Sequence, residues 1–212
     1  MNYQKVKKKC SYEQVRKDKR GDFSPLYFFD FFEILLYNIL EKNIRRKSMP
    51  NKSIIPYEIY VDGSAKGNDA AHRLGAWAYA ILYDGDMIRK DAGGVRDTTN
   101  QRMELQAVIE AIKGARELSK DDPGAIYKIY SDSAYLVNCY HQGWYVGWEK
   151  NGWRNAAKKE VANQDLWLEI IPYFKSKSFT FYKTKGHADD YYNNYVDAMA
   201  QAATEKLKHS TR

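Results

Sequence analysis

The sequence predicts an α/β domain in which helices flank a five-stranded mixed sheet, preceded by an N-terminal helical extension. Three short strand-like runs follow one another with tight Gly and Asp punctuation, a long helical run comes next, and further strand-like runs then alternate with helical ones. Consecutive short strands favour antiparallel pairing, whereas a strand, helix, strand order favours a parallel crossover. We therefore expect three antiparallel strands followed by two parallel ones.

The elements follow in order along the chain. The first three strands are predicted in IIPYEIYVDG, GAWAYAILYDG and MIRKDAGGVRD. A long helix is predicted in TTNQRMELQAVIEAIKGARELSK, because small or apolar side chains recur on one face at Met103, Ala107, Ala111, Ala115 and Leu118. The cluster from Thr98 to Asn100 is typical of a helix start.

The second half of the domain begins after the helix-breaking segment DDPG. AIYKIYSDS predicts a fourth strand, which the crossover places beside the first. Residues 134–174 mix helical and irregular sequence. SFTFYKTKGH then predicts a fifth strand, and NNYVDAMAQAATEKLKH predicts a closing helix.

Residues 1–50 differ from the remainder in charge and pattern. They hold 12 Lys and Arg against 6 Asp and Glu, whereas residues 51–212 hold 22 against 21. An amphipathic helix is predicted at about 24–43, in an apolar run too short and too acidic for a membrane span, which needs about 20 largely uncharged residues. We expect a basic extension over 1–50 and a separate domain over 54–209.

The role of this extension stays open at this point. Its helix is expected to pack on the main domain or on a second copy, and an interfacial membrane helix is the alternative. Met49 is also a possible start of the functional protein. The extension is expected to contact nucleic acid or another protein.

Composition narrows the class of protein. The chain has 212 residues, a net charge of +7 and a calculated pI of 9.1. This basic charge favours a nucleic-acid partner. Cys10 and Cys139 match neither a disulfide framework nor a metal-ligand spacing. We expect a cytoplasmic protein with no membrane contact and no small-molecule cofactor.

Four acids are predicted to converge at one edge of the sheet. Asp62 and Asp132 should lie at or near the ends of two parallel neighbours, and Glu104 and Asp197 fall near the starts of the two long helices. Two carboxylates about 4 Å apart repel by about 4 kcal/mol at an effective dielectric constant near 20. A divalent cation relieves this repulsion, and oxygen ligands suit Mg²⁺ or Mn²⁺. For any single acid, capping a helix or ending a strand in solvent is the alternative.

Five segments of the chain, in their order and approximate spacing, resemble type 1 ribonuclease H, the bacterial-like family that cuts RNA in RNA/DNA hybrids. They are YVDGSAKGN, TTNQRMELQA, YSDSAYLVN, GWEKNGWRNAAKKEVANQDLW and KTKGHADDYYNNYVDAMA, and the resemblance covers about residues 55–208. It implies a ribonuclease H-like fold. It also implies an endoribonuclease that hydrolyses the RNA strand by two-metal-ion catalysis and leaves 5′-phosphate and 3′-hydroxyl ends.

The resemblance assigns roles to the acids and to one histidine. Asp62, Glu104, Asp132 and Asp197 match the four metal-binding carboxylates, which implies two Mg²⁺ ions with Mn²⁺ as a substitute. His187 lies ten residues before Asp197, as the family's mobile-loop histidine does. It is implied to assist protonation or product release, a task that suits imidazole because its ordinary pKa is close to neutral.

By the same resemblance, polar residues near the metals recognise the hybrid. Asn68, Asn100 and Gln101 match positions that contact the hybrid near the cut, where 2′-hydroxyls distinguish RNA from DNA. Thr99 and Asn163 match a pocket for a phosphate of the DNA strand.

A basic protrusion resembles the part of the family that binds the DNA strand. Tyr135 and Trp148 match the aromatic residues of the DNA channel, and Trp153 is interleaved with cations suited to phosphates. These cations are Lys150, Arg154, Lys158 and Lys159. Core packing is the alternative for each aromatic residue, and we assign Trp77 and Trp167 to the core.

The chain departs from the family pattern at three places. Ala134 replaces a longer side chain that contacts RNA in many members. Asp97 stands where some members have an arginine for the DNA phosphate, and the neighbouring Arg96 is a candidate to compensate. The run DDYYNN replaces a proline-containing segment and adds Asp189 and Asp190 near the metals.

Two other function classes stay open from the sequence alone. One is a nucleic-acid-binding module that keeps the fold without catalysis, and the complete acidic set speaks against it. The other is a different nuclease of the superfamily, such as a resolvase or transposase core. The Trp/Lys protrusion and the GHADD segment speak against this second alternative.

Overall fold

The elements of the domain follow the predicted order. The computed structural model describes residues 54–66, 73–184 and 190–210. The predicted extension over 1–50, with its helix at about 24–43, lies outside the described residues. The strands are β1 (Tyr57–Lys66), β2 (Leu74–Tyr83), β3 (Asp86–Arg96), β4 (Tyr127–Ser131) and β5 (Phe179–Lys183). The helices are α1 (Asn100–Leu118), α2 (Ala134–Gln142), α3 (Trp144–Lys150), α4 (Gln164–Phe174) and α5 (Tyr191–His209).

All five described strands belong to one sheet, in the order β3-β2-β1-β4-β5. β1 and β3 both pair antiparallel with β2, whereas β4 lies parallel to β1 and β5 lies parallel to β4. This arrangement confirms the predicted topology and places the fourth strand beside the first. Asp84 and Gly85 join β2 to β3 with φ angles of 54° and 84°, a backbone geometry whose twist suits a two-residue hairpin.

Helices cover both faces of the sheet. On one face, Ile59 and Val61 of β1 are fully buried in a core that includes residues of α1 and α4. On the other face, the small side chains of Ala78 and Ala80 allow α5 to pack closely, with Val196 at the contact. A buried large apolar side chain contributes about 1.5–3 kcal/mol. Burial on both faces therefore fixes the register of the central strands.

The core contains most of the residues that the sequence assigned to it. The predicted apolar face of α1 is buried except at Leu118, which is 39% exposed because the helix ends there. Trp167 is fully buried as predicted, and Trp77 is half-buried over Gly93. None of the helices in the described part of the chain combines the length and apolarity that a bilayer crossing requires.

Candidate active site

Asp62 and Asp132 lie at the same level of two parallel strands. Tyr60 and Tyr130 are partners in the pairing of β1 with β4, and each aspartate follows one of them by two residues. The sequence placed Asp62 at or near the end of its strand, but β1 continues to Lys66 because its last residues pair with β2. The last parallel pair precedes each aspartate by two residues, so both aspartates lie at the edge where β4 ends.

A close contact between β1 and α1 brings Glu104 to the same edge. A Cβ atom built on Gly63 would lie 2.1 Å from the carbonyl carbon of Met103 and 2.2 Å from the amide nitrogen of Glu104. Only glycine allows the backbone of α1 to approach β1 so closely. Glu104, the fifth residue of α1, is therefore held beside the residue that follows Asp62.

Two neutral side chains orient the carboxylate of Glu104. Asn100 donates from Nδ2 to Oε1 over 2.7 Å, and Ser133 donates from Oγ to Oε2 over 2.5 Å. Asn100 also accepts a 3.1 Å hydrogen bond from the backbone N–H of Ala65, and thereby joins α1 to the end of β1. Both oxygens of Glu104 are thus held by residues from separate elements.

Asp197 joins the group from α5. It is the seventh residue of that helix. Gln201, one turn further along, donates from its amide nitrogen to both carboxylate oxygens, at 2.9 and 3.0 Å. The charge of Asp197 acts on Asp62, so acids from four elements or their ends share one electrostatic environment.

Burial and mutual repulsion disfavour the ionised forms of these acids. Burial, followed by the charges of Asp132 and Asp197, raises the pKa of Asp62 from 3.8 to about 7, with a smaller contribution from Glu104. Burial also raises the pKa of Glu104, and the hydrogen bond from Ser133 opposes this effect. A bound divalent cation reverses such shifts, because its charge favours the ionised carboxylates.

The donor set fits a hard divalent cation. Its ligands are carboxylate oxygens, which Mg²⁺ and Mn²⁺ prefer. Within residues 54–66, 73–184 and 190–210, no group of three or more acidic, histidine or cysteine side chains is arranged so that it could hold a metal ion. Mg²⁺ does not require one, because it keeps several of its waters and binds through one or two carboxylates. The acids of this edge are therefore suited to a partly hydrated ion.

Asn68 and His187, two of the predicted site residues, lie outside the described residues, as does Asp189. Described residues stand on either side of the segment that contains His187. Thr184 donates from Oγ1 to Oδ1 of Asn193 over 2.9 Å, and both residues are buried. Asp190 caps α5 by accepting a hydrogen bond from the backbone N–H of Asn193 at 3.1 Å. The first of these bonds joins the residue that follows β5 to the first turn of α5, and the second caps that helix.

The predicted hybrid-contacting residues Thr99, Asn100 and Gln101 are exposed at the start of α1, within five residues of Glu104. Thr99 caps the helix, because its Oγ1 accepts a 3.3 Å hydrogen bond from the backbone N–H of Arg102. The structure therefore brings these three positions to the acidic edge.

Asn163, the second predicted phosphate-pocket residue, precedes α4 and contacts Arg102 over 3.3 Å. Arg102 was not among the predicted site residues. A signal for it existed, because a cation in the first turn of a helix opposes the helix dipole unless it has a specific partner. Arg96, the candidate to compensate for Asp97, donates instead to the carbonyl oxygen of Leu207 at 3.1 Å.

The aromatic residues of the protrusion pack on one another. Trp148 is only 8% exposed, and its ring centroid lies 6.0 Å from that of Trp153 and 5.5 Å from that of Trp167. Core packing, the alternative considered for each aromatic residue, therefore applies to Trp148, because these neighbours cover most of its ring. Trp144, which the sequence analysis did not single out, is half-buried between Tyr135 and Trp148, with centroid distances of 6.1 and 6.4 Å.

The predicted cations of the protrusion are all exposed, as is Ala134 at the start of α2. Arg154 donates to the carbonyl oxygen of Lys158 at 2.9 Å, in a loop where Lys158 has a φ angle of 59°. The exposed cations are Lys150, Arg154, Lys158 and Lys159.

Comparison with known proteins shows which family has this fold and this acidic edge. Residues 55–205 match the family described as RNase H. The chain is 42% identical over 149 residues to Ribonuclease H from Syntrophomonas wolfei subsp. wolfei, which covers 70% of this chain and 96% of that relative. The chain belongs to the ribonuclease H family.

Solved structures agree with the fold. LC9-RNase H1, described as a type 1 RNase H with the type 2 active-site motif, superposes with a TM-score of 0.59 at 24% identity, over 74% of this chain and 75% of that chain. LC11-RNase H1 in complex with an RNA/DNA hybrid superposes with a TM-score of 0.55 at 19% identity, over 71% of this chain and 98% of that chain.

Proposed function

We propose that this chain is an endoribonuclease that hydrolyses the RNA strand of RNA/DNA hybrids and leaves 5′-phosphate and 3′-hydroxyl ends. The observation that carries the proposal is the meeting of four acids at one sheet edge, in a chain 42% identical to a protein named Ribonuclease H. A structure with the same fold was solved with an RNA/DNA hybrid, which supports this class of substrate.

The acids Asp62, Glu104, Asp132 and Asp197 are proposed to hold two Mg²⁺ ions, with Mn²⁺ as a substitute. Bound divalent ions supply an activated water and stabilise the leaving oxygen. The chain contributes the orientation of its carboxylates. Asn100 and Ser133 fix both oxygens of Glu104, so this ligand is held in place before substrate binds.

His187 is proposed to assist protonation or product release, because imidazole exchanges protons near neutral pH. On the RNA side, Asn68, Asn100 and Gln101 are proposed to contact the hybrid near the cut. Short amide side chains suit this role, since they donate to and accept from 2′-hydroxyls.

The DNA strand is proposed to lie along the protrusion. The half-buried Tyr135 and Trp153 offer apolar surface for a deoxyribose, and Trp148, which is 8% exposed, adds little to it. Thr99 and Asn163 form the phosphate pocket, and the protrusion adds four exposed cations. These cations are Lys150, Arg154, Lys158 and Lys159.

The remaining assignments concern the whole chain. We propose that the catalytic domain spans 54–209, that residues 1–50 form a basic extension that contacts nucleic acid or another protein, and that the enzyme acts in the cytoplasm.

Truncation before Met49 should leave cleavage of short hybrids intact. It should lower affinity for long hybrids in a salt-dependent way if the extension binds nucleic acid.

A panel of labelled substrates tests the proposal. The full chain is incubated in Mg²⁺, and separately in Mn²⁺, with an RNA/DNA hybrid, single-stranded RNA, double-stranded RNA and duplex DNA. We expect cleavage of the RNA strand of the hybrid only. Cleavage of duplex DNA indicates a different nuclease of the superfamily, and binding of the hybrid without cleavage in either ion indicates a silent binding module.

A further inference from the structure

Arg102 connects the start of α1 to the start of α4. Its guanidinium donates to both carboxylate oxygens of Asp165, at 3.0 and 2.7 Å, and its Nη1 also lies 3.3 Å from Oδ1 of Asn163. The side chain of Arg102 is 37% exposed. A bidentate pair of this kind fixes the plane and direction of the guanidinium.

The contact determines how the amide of Asn163 is turned. Arginine carries only donors, so Asn163 must present its oxygen to it and direct its NH₂ group elsewhere. Asn163 makes no side-chain hydrogen bond that caps α4, and its φ angle is 59°. The NH₂ group of Asn163 is therefore left to donate to an external acceptor.

The same residue engages Thr99 from the other side. The backbone N–H of Arg102 donates to Oγ1 of Thr99 at 3.3 Å, which uses a lone pair of the hydroxyl and leaves its hydrogen to donate. The backbone of residue 102 thus occupies an acceptor site of Thr99, and the side chain of Arg102 occupies the amide oxygen of Asn163. Both side chains are left as donors, the arrangement that a phosphate requires.

We infer that Arg102 is a positioning residue for the DNA phosphate, acting through the orientation of the Asn163 amide. This inference rests on the proposed function. Asp165 lies 2.7 Å from the guanidinium of Arg102 and offsets its charge, so the arginine contributes the direction of the Asn163 donor more than an added positive charge.

The test compares cleavage kinetics of the full chain and its variants Arg102→Met, Asn163→Ala and the double variant. Arg102→Met is expected to raise KM for an RNA/DNA hybrid about 3–10-fold with a smaller effect on kcat, the loss expected for one oriented hydrogen bond. Asn163→Ala should have a similar effect, and the double variant should be no worse than Asn163→Ala alone. Arg89→Met, which breaks a 2.7 Å pair with Glu117, is the matched control and should keep the wild-type KM.

A second substrate carries methylphosphonate linkages in the DNA strand opposite the cut, which removes the phosphate charge. On this substrate, Arg102→Met and wild type should have the same KM. Asp165→Asn retains the arginine but weakens its two hydrogen bonds to residue 165. Its KM for the native hybrid should therefore lie between those of wild type and Arg102→Met. If Arg102→Met lowers the yield of folded protein, the KM of Asp165→Asn is compared with that of wild type instead.

The inference is overturned if Arg102→Met behaves as Arg89→Met does, if its effect multiplies with that of Asn163→Ala, or if its effect persists on the methylphosphonate substrate. An unchanged KM for Asp165→Asn also contradicts it. A wild-type protein that does not cleave the hybrid refutes the proposed function, and with it this inference. If wild type cleaves the hybrid and Arg102→Met has the wild-type KM, the inference is refuted but the proposed function is not.

Discussion

Replacement of Gly63 by alanine perturbs the contact that holds Glu104 at the acidic edge. The added Cβ atom would lie 2.1 Å from the carbonyl carbon of Met103, where ordinary contacts begin at 3.4 Å. Both groups belong to the main chain, so no side chain can rotate away to relieve the overlap. The start of α1 must therefore move away from β1 by about 1 Å, which is the scale of displacement that disturbs catalytic geometry.

The expected effects follow from this displacement. Overpacking of a tight contact costs about 1–3 kcal/mol, which lowers Tm by roughly 2–4 °C per kcal/mol in a domain of this size. A misplacement of about 1 Å lowers the rate by about 100-fold. Because Glu104 moves with α1, kcat should fall much more than the modest loss of stability would explain.

The assay combines thermal unfolding with single-turnover cleavage of an RNA/DNA hybrid. Gly124→Ala is the matched control, because a Cβ atom there meets only Oδ1 of Asp122, at 3.5 Å. The control should retain wild-type kcat. A Gly63→Ala variant with wild-type Tm and wild-type kcat would refute the claim that this glycine sets the position of Glu104.

Three further perturbations test the site and its surroundings. Without divalent ions, the free energy of unfolding of Asp62→Asn should exceed that of wild type by up to about 4 kcal/mol at pH 8 and by little near pH 4. The pKa of Asp62 is raised from 3.8 to about 7, so protonation of this carboxyl favours the folded wild type, and that stabilisation is lost as pH rises. Urea unfolding with no pH-dependent difference between the two proteins would contradict this. Ser133→Ala should lower the free energy of unfolding by about 1–2 kcal/mol and should lower kcat, because Glu104 loses a hydrogen-bond donor and α2 loses its cap. Ser133→Thr, which keeps the hydroxyl, is the matched variant. A wild-type kcat for Ser133→Ala would contradict the role of Ser133 in orienting Glu104. Thr184→Val should lower stability by about 1–3 kcal/mol by leaving a buried oxygen of Asn193 without its donor, and calorimetry that finds it equal to Thr184→Ser would exclude the effect.

Short-range patterns were sufficient to predict the topology. The Gly and Asp punctuation predicted the antiparallel hairpins, and the strand, helix, strand order predicted that β4 lies beside β1. The convergence of Asp62 and Asp132 followed from that pairing alone. The continuation of β1 to Lys66 did not, because it depends on the register with β2, which no local pattern encodes.

Burial and orientation of side chains were harder to predict. Trp148 has the spacing and basic neighbours of a surface aromatic, yet Trp153 and Trp167 cover it. The link from Arg102 to Asn163 spans 61 positions of the chain and depends on the packing of α1 against α4. Such contacts are set by tertiary structure, which the sequence pattern describes only indirectly.

The central claim is that the acidic edge cuts the RNA strand of a hybrid through bound divalent ions. Its most direct test is cleavage of an end-labelled RNA/DNA hybrid in Mg²⁺ by wild type and by Asp62→Asn, with hybrid affinity measured in parallel. Wild type should cut the RNA strand, and Asp62→Asn should bind the hybrid but not cut it, because it lacks one carboxylate and retains the phosphate-binding surface. Wild-type turnover by Asp62→Asn would contradict the account.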